Sequence, residues 1–324
     1  MKHFLYAGVL GLLLLSLTGC LGGKYMAGYA LTPDTHGIDD IERTRHKADS
    51  LMPGSTAWYD SLKAAGILKD TTVIGYNGYR VHAVYVPAAR PQEANGTAIV
   101  IHGYMDNHFV FIYLARMYRD ELNYNVLMPD LQYHGYSEGP AIQMGWHDRF
   151  DILNWLNVAE SVFHDDFMVL HGVSMGAATV MFTSGEALPD YVKCFVEDCG
   201  YNSVRGQFKK NLKETFPFAP TSLLNSASIV TRRKYGWYFE SAECSRQLAK
   251  CTKPMLFIHG DADDFVPFED LQKNFDAKIN GYKEMWVARD AVHANSYAKY
   301  PEEYTLRVSN FLKTVHNMVE AGNL

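Results

Sequence analysis

Ser174 stands between two glycines in Gly172-Val173-Ser174-Met175-Gly176, directly after the apolar run "FMVLHG". This is the G-x-S-x-G spacing of a sharp strand-to-helix turn that lifts a serine hydroxyl above the edge of a sheet. Glycine is required on both sides because side chains there would crowd the strained turn. A serine hydroxyl is a weak nucleophile until an imidazole takes its proton, and the imidazole needs a carboxylate to hold its tautomer. After a turn of this kind the partners follow in the order Ser, Asp, His. "HGDADDFVP" offers Asp261, Asp263 and Asp264, and "ARDAVHANS" offers His293, each after a strand-like run. Asp198, at the end of "YVKCFVED", is a further candidate acid. His102, His171 and His259 sit in strand-end His-Gly steps and read as structural, and His134 comes too early in the chain to be the base. An oxyanion needs backbone N–H donors, for which Met175 and Tyr104 (in "IHGYMDN") are placed. The chemistry implied is acyl transfer through an acyl-serine. No metal-ligand spacing is present, and neither a metal nor a cofactor is expected.

The elements that must hold these residues alternate. "TAIVIHG", "NVLMPD", "FMVLHG", "YVKCFVEDC", "KPMLFIHG" and "YKEMWVA" read as strands, with helices over 109–122, 146–162, after Ser174 and over 301–319. Such alternation predicts a mostly parallel sheet covered by helices on both faces. Upstream, "TTVIGYNGYRVHAVYVP" predicts a hairpin about Asn77-Gly78. Residues 34–70 read as an amphipathic helical collar. The interval from Gly200 to Cys251 is far longer than an ordinary α/β connection. Its aromatics and its Pro217 and Pro220 suggest a helical cap over the carboxyl edge of the sheet, where ligands bind in such folds.

The chain of 324 residues is 48% hydrophobic and 20% charged, so it is globular, and its net charge of −6 offers no basic footprint for nucleic acid. Met1-Lys2-His3 precedes an apolar stretch from Phe4 to Leu17, which is shorter than the ~20 residues that span a bilayer. Of the later cysteines, Cys194 and Cys199 would lie roughly 16 Å apart on a strand. Cys244 and Cys251 would lie roughly 10 Å apart on a helix. A bridge needs Cα atoms within about 7 Å, so buried free thiols are expected.

Two resemblances add to this reading. Leu17-Thr18-Gly19-Cys20 resembles the lipobox of bacterial lipoproteins, which implies cleavage before Cys20, lipidation of that residue and a place in the cell envelope outside the cytoplasm. Leu21, not Asp, follows Cys20, which in Gram-negative lipoproteins implies the outer membrane. "HGYMDN", "DLQYHGYSEG", "MGWHDRFDILNWL", "HGVSMGAAT", "EDCGYNSV" and "MLFIHGDADDFVP" together resemble bacterial α/β-hydrolases of the serine aminopeptidase-like and carboxylesterase group. The resemblance runs from about Gly96 to Leu312 and implies the α/β-hydrolase fold and a serine-hydrolase mechanism. In "GDADDFVP" it implies Asp263 as the acid of the Ser174-Asp263-His293 set, leaving Asp261 and Asp264 as turn formers. One position departs from the relatives: Gln132 replaces an arginine, so any salt bridge made there is absent.

The expected organisation is therefore a signal peptide over 1–19, a tether and helical collar over 20–70, and a catalytic domain over 71–324 with its cap at about 201–251. The expected reaction is cleavage of a carboxylic ester. A serine peptidase of the aminopeptidase-like kind is the alternative, and a non-catalytic lipid-anchored binding module is disfavoured by the intact Ser, Asp and His. The substrate is a small ester or a short peptide, and the membrane is reached through the lipid anchor. A peptidase needs a charged site for the peptide terminus, for which only Glu240 and Glu243 present themselves. Phe216, Phe218, Trp237 and Tyr238 are candidates for an acyl pocket in the cap, or for packing that pins it. Cys20→Ser is expected to block lipidation and move the protein out of the membrane fraction, read by fractionation and intact mass. Unchanged membrane association with no loss of acyl mass would refute the anchor.

Overall fold

Strands and helices alternate to build one eight-stranded sheet in the computed structural model, which describes residues 21–34 and 40–324. The expected signal segment and Cys20 lie outside the described residues. The chain divides into two units, one comprising residues 35–202 and 243–324 and the other the residues up to Asp34 together with Ser203–Ala242. Helices are numbered in chain order, and α1 (residues 21–31) falls in the second unit.

The first unit opens with α2 (Ile41–Leu51) and α3 (Ser55–Ala64), the collar expected before the sheet. The hairpin follows as β1 (Lys69–Ile74) and β2 (Arg80–Val86), turned through Gly78 at φ 86°. Then come β3 (Thr97–Ile101), α4 (Ile112–Arg116), β4 (Asn125–Pro129), α5 (Asp148–Phe163), β5 (Met168–Val173), α6 (Met175–Thr183) and β6 (Val192–Asp198). After the other unit the chain returns through α9 (Cys244–Leu248), β7 (Met255–Gly260), α10 (Glu269–Ala277), β8 (Lys283–Ala288), α11 (Ser296–Lys299) and α12 (Pro301–Glu320). The strand order is β1-β2-β4-β3-β5-β6-β7-β8, antiparallel only at β1-β2 and β2-β4. This is the α/β-hydrolase fold. The helix expected over 109–122 is interrupted: α4 passes into a π-helical turn, Met117–Glu121, closed by Leu122 N–H donating to Met117 O at 3.0 Å.

β3, β4 and β5 are buried along their whole length, the signature of strands covered on both faces. On one face Val100, Val169, Val196 and Ile258 join a core with Tyr113, Tyr304 and Phe311. His171 is buried in that sheet between the hydroxyls of Tyr118 (2.9 Å) and Tyr304 (2.8 Å). Burial pulls its pKa down to about 3, so it is neutral and structural. Cys194, Cys199, Cys244 and Cys251 are all buried free thiols, as their spacings predict.

In the second unit, α7 (Val204–Thr215) begins at Ser203, whose hydroxyl accepts from Gly206 N–H at 3.1 Å. Such a cap contributes about 1 kcal/mol. α8 (Ser222–Tyr235) stops at Gly236, whose φ of 88° is a left-handed C-cap that favours glycine. Arg205 pairs with Glu240, which also accepts from Ser228 Oγ at 2.6 Å. α1 approaches α8 closely through its glycines, since a Cβ on Gly23 would lie 2.6 Å from Ser226. No helix among the described residues is long and apolar enough to cross a membrane.

Candidate active site

β5 runs fully buried to Val173, and the chain then reverses into α6 with Ser174 at φ 58°, ψ −117°. A non-glycine residue in that region costs roughly 1–3 kcal/mol and persists only where its surroundings over-determine it. They do so here. Ser174 N–H donates to Asp198 O at 2.8 Å, and the backbone crosses itself so tightly that a Cβ on Gly172 would lie 2.1 Å from Gly176 O. A Cβ on Gly176 would lie 2.1 Å from Ile101 O at the end of β3. The two glycines thus let α6 start against the neighbouring strand.

His293 follows β8 and reaches this turn with both ring nitrogens occupied. Its Nε2 is 2.9 Å from Ser174 Oγ, and its Nδ1 is 2.7 Å from Asp263 Oδ2. Asp263 Oδ1 accepts from the N–H groups of Phe265 and Val266, both at 2.9 Å. Burial alone would raise the Asp263 pKa, but the contacts of His259 and His293 and the Val266 N–H outweigh it and hold the carboxyl well below the usual range. His259 Nε2 also lies close to the same oxygen, 3.1 Å from Asp263 Oδ2. With the carboxylate anionic, Nδ1 carries the proton and Nε2 is free to accept one from serine.

Asp198, the rival acid, turns elsewhere. Its carboxylate accepts from Ser296 Oγ at 3.2 Å and Tyr304 OH at 3.1 Å, and burial raises its pKa to about 6. Asp261 is more than a turn former, because its carboxylate accepts from Asp290 N–H and so ties the loop after β7 to the loop after β8. Gly260 makes that crossing possible: a Cβ there would lie 2.1 Å from Ala291 O. Neither contact is signalled by a motif; only the proximity of two strand ends creates them.

The loop after β3 comes up against the serine, with a Cβ on Gly103 only 3.4 Å from Ser174 Cβ. Tyr104 follows it, half-buried, and Met175 is the first residue of α6, where N–H groups lack intrahelical acceptors. Imidazoles brace this loop. His102 Nε2 accepts from Leu131 N–H at 2.9 Å and His134 Nε2 from Met105 N–H at 3.2 Å. Asp130 anchors the same region, accepting from the N–H and Nδ1 of His108, from His82 Nδ1 and from Tyr136 N–H. His82, His108 and Asp130 have the composition of a metal site, yet both oxygens of Asp130 are already satisfied by these donors. Cys199, Asp263 and His293 also cluster, with His293 already engaged by Asp263 and Ser174.

This arrangement, a strained serine backed by histidine and carboxylate at the carboxyl ends of parallel strands, has relatives. The profile of the prolyl oligopeptidase family matches residues 138–318, more than half of the chain. The chain belongs to this family. It is a serine hydrolase of the α/β-hydrolase type. The uncharacterized protein YqkD of Bacillus subtilis is 26% identical over 244 residues, 75% of this chain and 78% of its own. The Pyrococcus furiosus esterase Pf2001 has the same fold, with a TM-score of 0.62 at 23% identity over 78% of this chain and 95% of the esterase. A puromycin-hydrolyzing peptidase of Mycobacterium tuberculosis matches with a TM-score of 0.61 at 17% identity, over 76% of this chain and 39% of the peptidase.

The four aromatics considered for an acyl pocket fall in separate environments. Trp237 is buried in its own unit beside Phe239, at 5.7 Å between rings. Phe218 is wholly exposed, Tyr238 is exposed beneath the Arg232 guanidinium, and Phe216 meets Tyr29 of α1 edge-on at 5.9 Å. Phe265, which no motif singles out, stands against the His293 ring at 4.8 Å. Gln132 donates to Asp151 at 2.5 Å and accepts from Asn77 at 2.9 Å.

Gly260→Ala must push the β7 and β8 loops apart. Displacements of about 1 Å at a reacting group cost on the order of 10²-fold in rate. The variant is therefore expected to react about 100-fold more slowly with a fluorophosphonate probe while keeping native far-ultraviolet circular dichroism. An unchanged rate would show that the loop crossing does not position His293.

Proposed function

We propose that this hydrolase cleaves carboxylic esters through an acyl-serine intermediate, with Ser174 as nucleophile, His293 as general base and acid, and Asp263 as the residue that orients it. The observation that carries the proposal is the unbroken hydrogen-bonded line from Ser174 Oγ through His293 to Asp263. As Ser174 Oγ attacks the acyl carbon, its proton passes to His293 Nε2, and the imidazolium formed is stabilised by the anionic Asp263. The oxyanion of the tetrahedral intermediate accepts from Tyr104 and Met175 N–H groups, each such donor lowering the barrier by roughly 2.7–4 kcal/mol. Collapse breaks the bond to the alcohol oxygen, which leaves with the proton from Nε2. Water then repeats the sequence and frees the acid.

Ester over peptide is favoured by the kinship with an esterase over nearly that whole chain, and by the state of the two glutamates that could receive a peptide amine. Glu240 is engaged by Arg205 and Ser228, and Glu243 by Arg246 at 2.7 Å. The family's peptidase members keep a serine peptidase as the second reading. The Leu17-Thr18-Gly19-Cys20 segment supports attachment of the enzyme to a membrane of the cell envelope through lipidated Cys20.

Ser174→Ala is expected to abolish both fluorophosphonate labelling and turnover; continued stoichiometric labelling would mean another serine is the nucleophile. Asp263→Asn should lower kcat by about 10⁴, the scale of a histidine left in the wrong tautomer, and Asp198→Asn should lower it less. The reverse ranking would move the acid to β6. Against a panel of p-nitrophenyl esters and aminoacyl anilides, kcat/KM is expected to be higher for the esters. Preferential cleavage of the anilides would replace the esterase reading with the peptidase one.

A further inference from the structure

The unit built from the N-terminal helix and residues 203–242 carries an exposed face that the acyl-transfer chemistry does not use. On α1, Leu21, Lys24, Tyr25 and Tyr29 recur at helical spacing and are exposed, while Gly23, Ala27 and Leu31 are buried on the opposite side. Leu21 and Tyr25 are 63% and 64% exposed, too much for a face that finds its partner within this unit. Tyr29 passes the apolar surface on to Phe216, and Phe218 two residues later is 100% exposed. On α8, Ile229 is exposed with Arg232 and Arg233 three and four residues on, hence on the same face.

Charge gives this surface its sign. Residues 21–34 and 203–242 contain eight lysines and arginines against three acidic residues, a net charge of +5 in a chain whose total is −6. Of the three, Glu214 is held by Lys210 and Glu240 by Arg205. The apolar run Phe4–Leu17 also leads in sequence directly to α1.

We propose that this face docks on an anionic lipid surface, with Tyr25, Tyr29, Phe218 and Ile229 entering the headgroup region and Lys24, Arg232 and Arg233 meeting lipid phosphates. Tyrosine suits that depth because its ring is apolar and its hydroxyl stays wet. Long basic side chains cover apolar surface with their stems while their charged ends reach the phosphates. The combination of aromatic and aliphatic groups with a basic rim is what holds helices in the plane of a membrane surface. The inference is independent of the esterase reading.

Full-length protein is reconstituted into vesicles of phosphatidylcholine alone or mixed with phosphatidylglycerol, carrying an environment-sensitive dye on Phe218→Cys. Ile279→Cys, at an exposed site of the other unit, is the comparison, and the parent chain taken through the same labelling reports any dye on Cys20. The dye on Phe218→Cys is expected to shift to the blue with phosphatidylglycerol only, and to return in high salt. Adding Arg232→Gln and Arg233→Gln should weaken docking by roughly five-fold per charge removed. No shift, an equal shift in both lipids, or an equal shift at Ile279→Cys would overturn the proposal. So would a dimer in detergent joined through Tyr25 and Phe218, which would assign the face to a second copy of the chain.

Discussion

Everything at the site depends on a backbone crossing. β5 must end and α6 begin within one residue, and α6 must start against the last carbonyl of β3. Glycine at 172 and 176 is the only residue type that leaves room, because any Cβ there would fall 2.1 Å from a carbonyl oxygen. The crossing forces Ser174 into its strained conformation, and the Ser174 N–H to Asp198 O bond locks it there. The first N–H groups of α6, which follow Ser174 directly, lack intrahelical acceptors.

Three buried carboxyls near the carboxyl edge of the sheet show that burial raises a carboxyl unless its partners outweigh it. Burial pushes all three toward protonation. Asp130 is drawn well below the usual range by His108 and His82, and Asp263 by His259 and His293. Asp198, whose side-chain donors are the hydroxyls of Ser296 and Tyr304, rises to about 6. The carboxylate touching His293 is one of those held down.

The pairing of Gln132 with Asp151 shows the opposite case. A neutral amide satisfies the hydrogen-bonding of Asp151 without neutralising it, and burial leaves the Asp151 pKa raised. Neighbouring Asp148, fully enclosed and repelled by Asp151, is pushed up to about 7.

Strand and helix alternation, the hairpin about Asn77-Gly78, and the turn carrying Ser174 were legible in the chain, because periodicity and glycine placement report local backbone requirements. The free state of the cysteines followed from spacing for the same reason. Which carboxylate meets His293 was not legible from spacing: Asp198, Asp261, Asp263 and Asp264 all stand at strand ends, and resemblance alone separated them. The choice rests on Gly260 passing under Ala291 and on Asp261 tying the two loops, contacts between residues about thirty positions apart. Nor could the chain tell that Trp237 would be buried while Phe218 lay bare, since both are aromatic residues in one irregular segment. Sequence determines what each stretch can form and which groups are chemically competent. Tertiary structure decides which of them touch, because hydrogen bonds and buried charge act over a few ångströms that only the folded chain sets.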